Sequence, residues 1–561
     1  MNLRFKLVFI LIFLLLTAVG GRLFQLQVLQ YSFWAAQAVR FQERERLQLY
    51  PRGRIYDRNG LLLAMDLKTY SIAVDPQQLK RPGALKRILN RHLGLSNAFL
   101  EARFSQDNRF AWIKRKVDPE TAERITAEAE EAGVEGLILV EEWKRAYPQG
   151  ELASNLLGFA GLDNQGLEGL ELGFDELLRG EPGKVRLVHA GDGKVIAVRM
   201  EGGRPGADLV LTIDARIQHL AEEKISRGVR EFRAKNGFIG VMDPQTGEIL
   251  ALAHHRRYDP NEFARSTPEE RLNYALGWPF EPGSVLKIFV ALAALEAGVV
   301  SLDERINGNQ PVVVGGHRFR NALNYSYGPV TLEEIIAYSI NTGMIRVALR
   351  LGERGLYSFL RRMGFGQETE LGLPGEVPGT LRPVEEWSGT DLGAIAIGQA
   401  ISVTGVQLLT AGAAIANGGI LLKPRIIKEV RRADGKVEIL KPRPVRVRRV
   451  ASTWSISVLK EMMVEVVERG TGKAAKIEGF TIAAKSGTAQ KAEPGEGYVE
   501  GRLVSSFLGF LPAEEPSFVI LVVLDEVGVE PPWGGRTAGK IFRELAERLI
   551  DLENLKPEVK D

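Results

Sequence analysis

Three short motifs stand far apart in this 561-residue chain, and a fold that makes one site of them is tightly constrained. They are Ser284-Val285-Leu286-Lys287, Ser339-Ile340-Asn341 and Lys485-Ser486-Gly487-Thr488. The first follows Pro282-Gly283 and opens an apolar run with helical spacing: Val285, Ile288, Phe289, Leu292 and Leu295. Pro and Gly just before such a run signal a helix start. Ser284 is therefore expected in the first turn, with Lys287 three residues on over the same face. Backbone N–H groups point outward there, and the positive dipole end favours an oxyanion near Ser284. The same field penalises a charged amine, so Lys287 is suited to lose its proton and act as a base. A weak nucleophile beside an activating base is an arrangement for acyl transfer through a covalent intermediate.

S-x-x-K alone is a weak signal. Ordinary residue usage yields it about twice in a chain this long, and Ser457-Val458-Leu459-Lys460 is a second match. That copy reads as an amphipathic helix with a solvated lysine, because no S-x-N separates it from Lys485-Ser486-Gly487. The order S-x-x-K, S-x-N, K-[ST]-G is specific to penicillin-binding proteins and class A β-lactamases. On these motifs the chain resembles the class B, monofunctional penicillin-binding proteins, which are peptidoglycan D,D-transpeptidases. The resemblance extends over nearly the whole length.

Length alone predicts several domains. The 45% hydrophobic and 25% charged content is that of folded protein. A net charge of +3 implies no general polyanion or nucleic-acid binding. The absence of cysteine excludes disulfides, thiolate zinc sites and cysteine nucleophiles.

The first six residues are basic, with Arg4 and Lys6, and residues 7–21 carry no charge. As a helix those uncharged residues cover about 22 Å, short of the ~30 Å hydrocarbon core. Leu23, Phe24, Leu26 and Val28 extend the span if Arg22 snorkels. The rival is a signal peptide cut near Ala18-Val19-Gly20. An uncleaved anchor is preferred, because the apolar pattern runs past that cut and the Arg22-Leu23-x-x-Leu26-Gln27 continuation resembles the family. Positive residues ahead of the span place residues 1–6 in the cytoplasm, a transmembrane helix at 7–28 and the bulk outside, giving a single-pass inner-membrane protein.

Residues 29–232 are expected to form a pedestal of the dimerisation type. Arg52-Gly53-Arg54-Ile55-Tyr56-Asp57-Arg58-Asn59-Gly60-Leu61-Leu62-Leu63-Ala64 resembles a class B segment, and its Asn59-Gly60 signals a hairpin. Residues 83–133 read as helices. Arg145-Ala146-Tyr147-Pro148 and Gln165 to Glu171 resemble further pedestal motifs, and Arg52, Asp57, Arg58 and Glu168 read as structural ion-pair residues. A helix at 215–232 leads into the catalytic domain, 233–552, and residues 553–561 form a charged tail. In that domain residues 238–242 and 249–253 read as strands, 284–360 and 391–417 as mostly helical, 480–484, 507–510 and 518–524 as strands, and 538–552 as a closing amphipathic helix. The fold class is therefore α+β: an N-terminal transmembrane helix, an elongated α+β pedestal, and a transpeptidase/serine β-lactamase-like domain with an antiparallel sheet flanked by helices.

The resemblance implies the chemistry. Ser284 attacks the penultimate D-alanine carbonyl of a stem peptide, and Lys287 takes its proton. Ser339 relays a proton to the leaving amine. Asn341 holds Lys287 and the peptide backbone, and Lys485 lowers the Lys287 pKa and attracts the substrate carboxylate. Ser486 and Thr488 hydroxyls bind that carboxylate, Gly487 allows close approach, and the Ser284 and Thr488 N–H groups form the oxyanion hole. β-Lactams mimic D-alanyl-D-alanine and acylate Ser284. No metal or other cofactor is implied.

His254-His255 has no carboxylate or cysteine partner at ligand spacing and reads as surface or packing histidine. The basic run 441–449 reads as a solvated edge or loop, and 364–375 lacks a P-loop lysine. The short Gln165 to Glu171 linker and Asn341-Thr342-Gly343 resemble the septal, division-type enzyme, whose partner is a polytopic glycosyltransferase of the shape-elongation-division-sporulation family. The alternatives are an elongation or sporulation enzyme, or a non-catalytic scaffold activating such a glycosyltransferase. A β-lactamase needs half this length and no anchor, and a β-lactam sensor needs more cytoplasmic chain than six residues.

Overall fold

The computed structural model describes residues 3–34, 43–48, 50–189, 195–438, 443–493 and 497–557. Residues 1–2 of the expected cytoplasmic tail, 441–442 of the basic run and 558–561 of the charged tail lie outside the described residues. By contacts the chain divides into two compact units. The first comprises Met1–Pro51, Thr69–Trp143 and Arg179–Gly206, and the second Arg52–Lys68, Lys144–Leu178 and Ala207–Asp561. The pedestal motifs around Arg52, Arg145 and Glu168, and residues 207–232, are thus grouped with the catalytic region.

The first unit begins with the helix Leu3–Phe24, continued by a π-helical turn Gln25–Leu29. Lys6–Leu29 is the one helix among the described residues long and apolar enough to cross a membrane, and none of it is buried. The antiparallel strands Glu43–Gln48, Gly183–His189 and Val195–Glu201 form a small sheet. The helices Pro82–Leu93, Asn97–Phe104 and Pro119–Glu131 pack Leu85, Leu89, Leu100 and Ile125 against Ile72 and Val74. Pro119 at the first helical position and Asp118 accepting from Thr121 N explain where the last helix starts. The all-helical expectation for 83–133 is corrected by a strand, Ala111–Val117, pairing antiparallel with residues 70–74. Its Ala111, Ile113 and Val117 are buried, a period of two that the flanking charged helices obscure.

In the second unit the Asn59-Gly60 hairpin forms. Ile55 pairs with Ala64, Gly60 has φ +90°, and Asp57 Oδ1 accepts from Asn59 N and Leu61 N. Asp57 is a turn and cap residue, also accepting from Ala215 N, not an ion-pair residue. Arg52 and Arg145 are the buried pair-formers. Arg52 meets Glu171 at 2.8 Å and Asp175 at 2.5 Å, and Arg145 meets Glu171 at 2.6 Å and Asp66 at 3.2 Å. Arg58 pairs with Glu248 and Glu168 with Arg271.

The catalytic region is built on a five-stranded antiparallel sheet in the order Ile249–His254, Asn236–Met242, Phe518–Asp525, Gly497–Leu511, Ala483–Glu493. The central strand Phe518–Asp525 is buried at every position, because both faces are covered. Val519, Leu521 and Val523 pack with Leu408, Leu409 and the helices around Lys287–Glu296. Ile520, Val522 and Leu524 pack with Ile225 of Ala215–Glu231 and Phe542 of Ala538–Glu553. At 25 cal/mol per Å², each such side chain contributes roughly 1.5–3 kcal/mol. Strands expected at 480–484 and 507–510 extend through polar residues to Glu493 and from Gly497, so Lys485-Ser486-Gly487-Thr488 lies on an edge strand. The stretch 284–360 is helical only in part: residues 306–330 contribute the short strands Ile306–Asn307, Val312–Val314, His317–Phe319 and Pro329–Val330.

Candidate active site

Ser284 lies in a single 3₁₀ turn, Gly283–Leu286, that runs directly into the α-helix Lys287–Glu296. That helix is buried through residues 287–295, consistent with its all-round apolar sequence. Gly283 has φ +54°, and a Cβ there would meet Thr488 O at 2.8 Å. Its N–H donates to Gly398 O at 3.0 Å. The turn carrying Ser284 is thereby clamped between the edge strand and the 398 loop.

Lys287 is fully buried. Its Nζ lies 2.6 Å from Ser339 O, 2.6 Å from Asn341 Oδ1 and 3.2 Å from Ser339 Oγ. Two of these partners can only accept. A neutral amine has two N–H donors and one lone pair, so the two obligate acceptors use both donors and the lone pair is left for a hydroxyl. Burial, and then the charge of Lys485, push the Lys287 amine well below its ordinary value. Lys485 is also fully buried; burial lowers its amine to about 7. Its Nζ donates to Ser486 O at 2.9 Å and to Ser339 Oγ at 3.0 Å. Both lysines therefore converge on the Ser339 hydroxyl.

Ser339 follows the helix Leu332–Ala337, which starts with a Thr331/Glu334 capping box. It adopts φ +58°, a left-handed conformation that costs a non-glycine residue about 1–3 kcal/mol and concentrates at functional sites. That turn aims its carbonyl and hydroxyl at the two amines. Asn341 opens the helix Asn341–Arg362, and its Nδ2 donates to Arg320 O at 3.0 Å, leaving Oδ1 for Lys287.

On the edge strand, Ser486 Oγ shares a 2.8 Å hydrogen bond with Thr471 Oγ1. Thr488 Oγ1 accepts from Gly534 N at 3.0 Å, so its own O–H is free to donate. Gly487 admits no side chain: a Cβ would lie 2.3 Å from Ser506 Oγ and 2.8 Å from Pro282 O. Thr471, Gly534 and Gly535 are absent from the sequence reading. A Cβ on Gly534 would fall 2.0 Å from Gly487 O, and one on Gly535 would fall 1.9 Å from Thr471 O. Their only sequence signal was the Gly-Gly pair after Pro531-Pro532 and the Gly-Thr-Gly at 470–472.

The second S-x-x-K lies on the helix Thr453–Glu468. Ser457 is exposed, and Lys460 sits over the Phe510 ring. His254 is buried against Asn273 and held down to about 4 by burial, a packing residue.

Residues 237–547 match the penicillin binding protein transpeptidase domain, and residues 48–211 match the penicillin-binding protein dimerisation domain. The chain is 31% identical over 564 residues to the probable peptidoglycan D,D-transpeptidase PenA of Neisseria meningitidis, spanning 99% of this chain and 94% of the relative. It is 30% identical over 565 residues to the peptidoglycan D,D-transpeptidase FtsI of Escherichia coli, spanning 99% and 92%. The crystal structure of penicillin binding protein 3 from Mycobacterium tuberculosis complexed with aztreonam superposes with a TM-score of 0.72 at 29% identity, covering 91% of this chain and 98% of that one. The chain belongs to the penicillin-binding proteins that join a dimerisation domain to a transpeptidase domain.

Proposed function

We propose that the chain is a peptidoglycan D,D-transpeptidase acting through an acyl-enzyme on Ser284. The observation that carries the reading is the convergence of two buried amines on Ser339 Oγ, with the Lys287 amine 2.6 Å from both Ser339 O and Asn341 Oδ1. Lys287 takes the Ser284 proton as Ser284 Oγ bonds to the penultimate D-alanine carbonyl. The developing oxyanion lies between the N–H groups of Ser284 and Thr488, each worth about 3–4 kcal/mol. The C–N bond to the terminal D-alanine then breaks, its amine collecting a proton through Ser339. The amine of a second stem peptide attacks the acyl carbon, losing a proton to the same lysine and freeing Ser284. Thr488 and Ser486 hydroxyls and the Lys485 charge hold the substrate carboxylate, and Gly487 lets the strand lie close to it.

The septal reading is supported by similarity to FtsI over nearly the full chain and by the short Gln165 to Glu171 linker. In that role Lys6–Leu29 anchors the chain with its N-terminus cytoplasmic and the catalytic region outside. The partner is a polytopic glycosyltransferase of the shape-elongation-division-sporulation family, met through the anchor and pedestal. The test is intact-protein mass spectrometry after incubation with a fluorescent penicillin, on the wild type, Ser284→Ala and Ser457→Ala. A stable adduct lost only in Ser284→Ala is expected. An adduct lost only in Ser457→Ala would mean the wrong motif, and no adduct on wild type would favour a non-catalytic scaffold.

A further inference from the structure

Between Glu304 and Glu333 the chain has no acidic residue but three arginines, Arg305, Arg318 and Arg320. Arg305 pairs with Glu334. Arg318 and Arg320 are exposed, and neither forms an ion pair among the described residues. This stretch is held by a frame of side-chain hydrogen bonds. Asn321 Oδ1 accepts from Thr342 N at 2.9 Å, and its Nδ2 donates to Gly308 O and Tyr325 O. Arg346 Nη1 donates to Asn307 O and Asn309 O, and Gly328 N donates to Asn309 Oδ1. The frame is joined to the candidate site, since Arg320 O accepts from the amide of Asn341 that binds Lys287.

What this frame displays is poorly suited to water. Leu323 is 71% exposed and Tyr325 60% exposed, beside an exposed Tyr327. Leu323 and Asn324 are consecutive with φ +55° and +58°, a region that non-glycine residues rarely occupy. A loop that spends conformational strain to hold a leucine in solvent, on a rigid frame, points to a ligand.

We propose that residues 305–328 form the rim that docks the acceptor strand: Arg318 and Arg320 take the carboxylates of its peptide, and Leu323, Tyr325 and Tyr327 take the apolar faces of its sugars. The inference rests on the transpeptidase reading and adds where the second substrate is held. Charge favours this occupant. Stem peptides are anionic, and an unpaired guanidinium binds carboxylate through two parallel hydrogen bonds. Continuity favours it too, because the rim is one hydrogen bond from Asn341, the residue that binds Lys287. Tyrosines present flat faces for sugar C–H surfaces while keeping their hydroxyls wet, and a pre-ordered rim loses little freedom on binding.

The experiment uses the full-length protein in detergent, acylated by a D-alanyl-type peptide thioester. The acyl group is offered to a free D-amino acid, to a sugar-free tetrapeptide, and to a disaccharide-tetrapeptide. The variants are Arg318→Ala/Arg320→Ala, Arg318→Ala/Arg320→Lys and Tyr325→Ala. In the double alanine variant the KM for both peptide acceptors should rise about five- to twentyfold, with kcat within about twofold. The lysine variant should recover part of it, and the D-amino acid should react as with wild type. Tyr325→Ala should raise KM for the disaccharide-tetrapeptide alone. Unchanged peptide KM values would overturn the proposal. So would an equal loss with the D-amino acid, or normal crosslinking accompanied by loss of a protein partner. Penicillin acylation separates the layers: a wild type that forms no Ser284 adduct refutes the transpeptidase reading itself. If the double alanine variant fails to acylate, the lysine and Tyr325→Ala variants decide.

Discussion

Gly487→Ala tests whether the edge strand and the turn carrying Ser284 are a single fitted unit. The new Cβ would lie 2.3 Å from Ser506 Oγ and 2.8 Å from both Pro282 O and Val285 Cγ2, where ordinary contact begins at 3.4 Å. The turn carrying Ser284 must therefore move from the strand by about 0.6 Å, and Ser506 by about 1.1 Å, before repulsion is relieved. Overpacking of this kind costs about 1–3 kcal/mol of stability. If Ser284 is the nucleophile, a misplacement approaching 1 Å between it and the Lys485–Thr488 strand should lower the acylation rate by about ten- to a hundredfold. Ser506→Ala removes the nearest atom but leaves Pro282 O and Val285 in place. The double variant should regain melting temperature without regaining full acylation rate. The assay pairs the second-order rate of fluorescent penicillin acylation with calorimetric unfolding. Gly487→Ala acylating at the wild-type rate, or a double variant that recovers it completely, would refute the reasoning.

Three further outcomes follow from the same geometry. Acylation by a carboxylate-bearing β-lactam should rise with pH as Lys287 becomes neutral. It should fall as Lys485, held at about 7, loses the charge that attracts the carboxylate; stopped-flow pH profiles should lose that alkaline limb for an acylating agent without a carboxylate. Lys485→Met should abolish acylation yet stabilise the fold at neutral pH by on the order of a few kcal/mol. The folded pKa lies below the ordinary 10.5, so the unfolded chain binds more protons between about 7 and 10.5 and wild-type stability rises with pH across that window. The gain in Lys485→Met should shrink towards pH 10, read by denaturant unfolding. Arg52→Met removes the guanidinium that Glu171 and Asp175 share, leaving Glu171 to Arg145, and should cost about 3–5 kcal/mol in unfolding experiments, with penicillin acylation kept below the lowered melting temperature.

Local chemistry in the sequence decided much of this protein. Apolar residues 7–16 open a helix that is long and apolar enough through Leu29 to cross a membrane, Asn59-Gly60 between apolar residues makes a hairpin, and the unbroken apolar run Phe518–Leu524 seats a strand between two covered faces. The three motifs named Ser284, Lys287, Ser339, Asn341 and Lys485 as a set, because their order is specific even though each is common. The strand Ala111–Val117 was hidden among charged helices, and the strand through Lys485 to Glu493 was hidden because its residues are largely polar and carry no apolar period. Only the tertiary structure decided that Lys287 spends its donors on Ser339 O and Asn341 Oδ1, and that both amines meet at Ser339 Oγ. It also decided that Gly534 fits against Gly487. The physical reason is common to all three. Propensity and periodicity are written in neighbours a few residues apart, whereas burial of an amine, the lowering of its pKa and the space that forbids a Cβ arise between segments that meet only when the chain has folded.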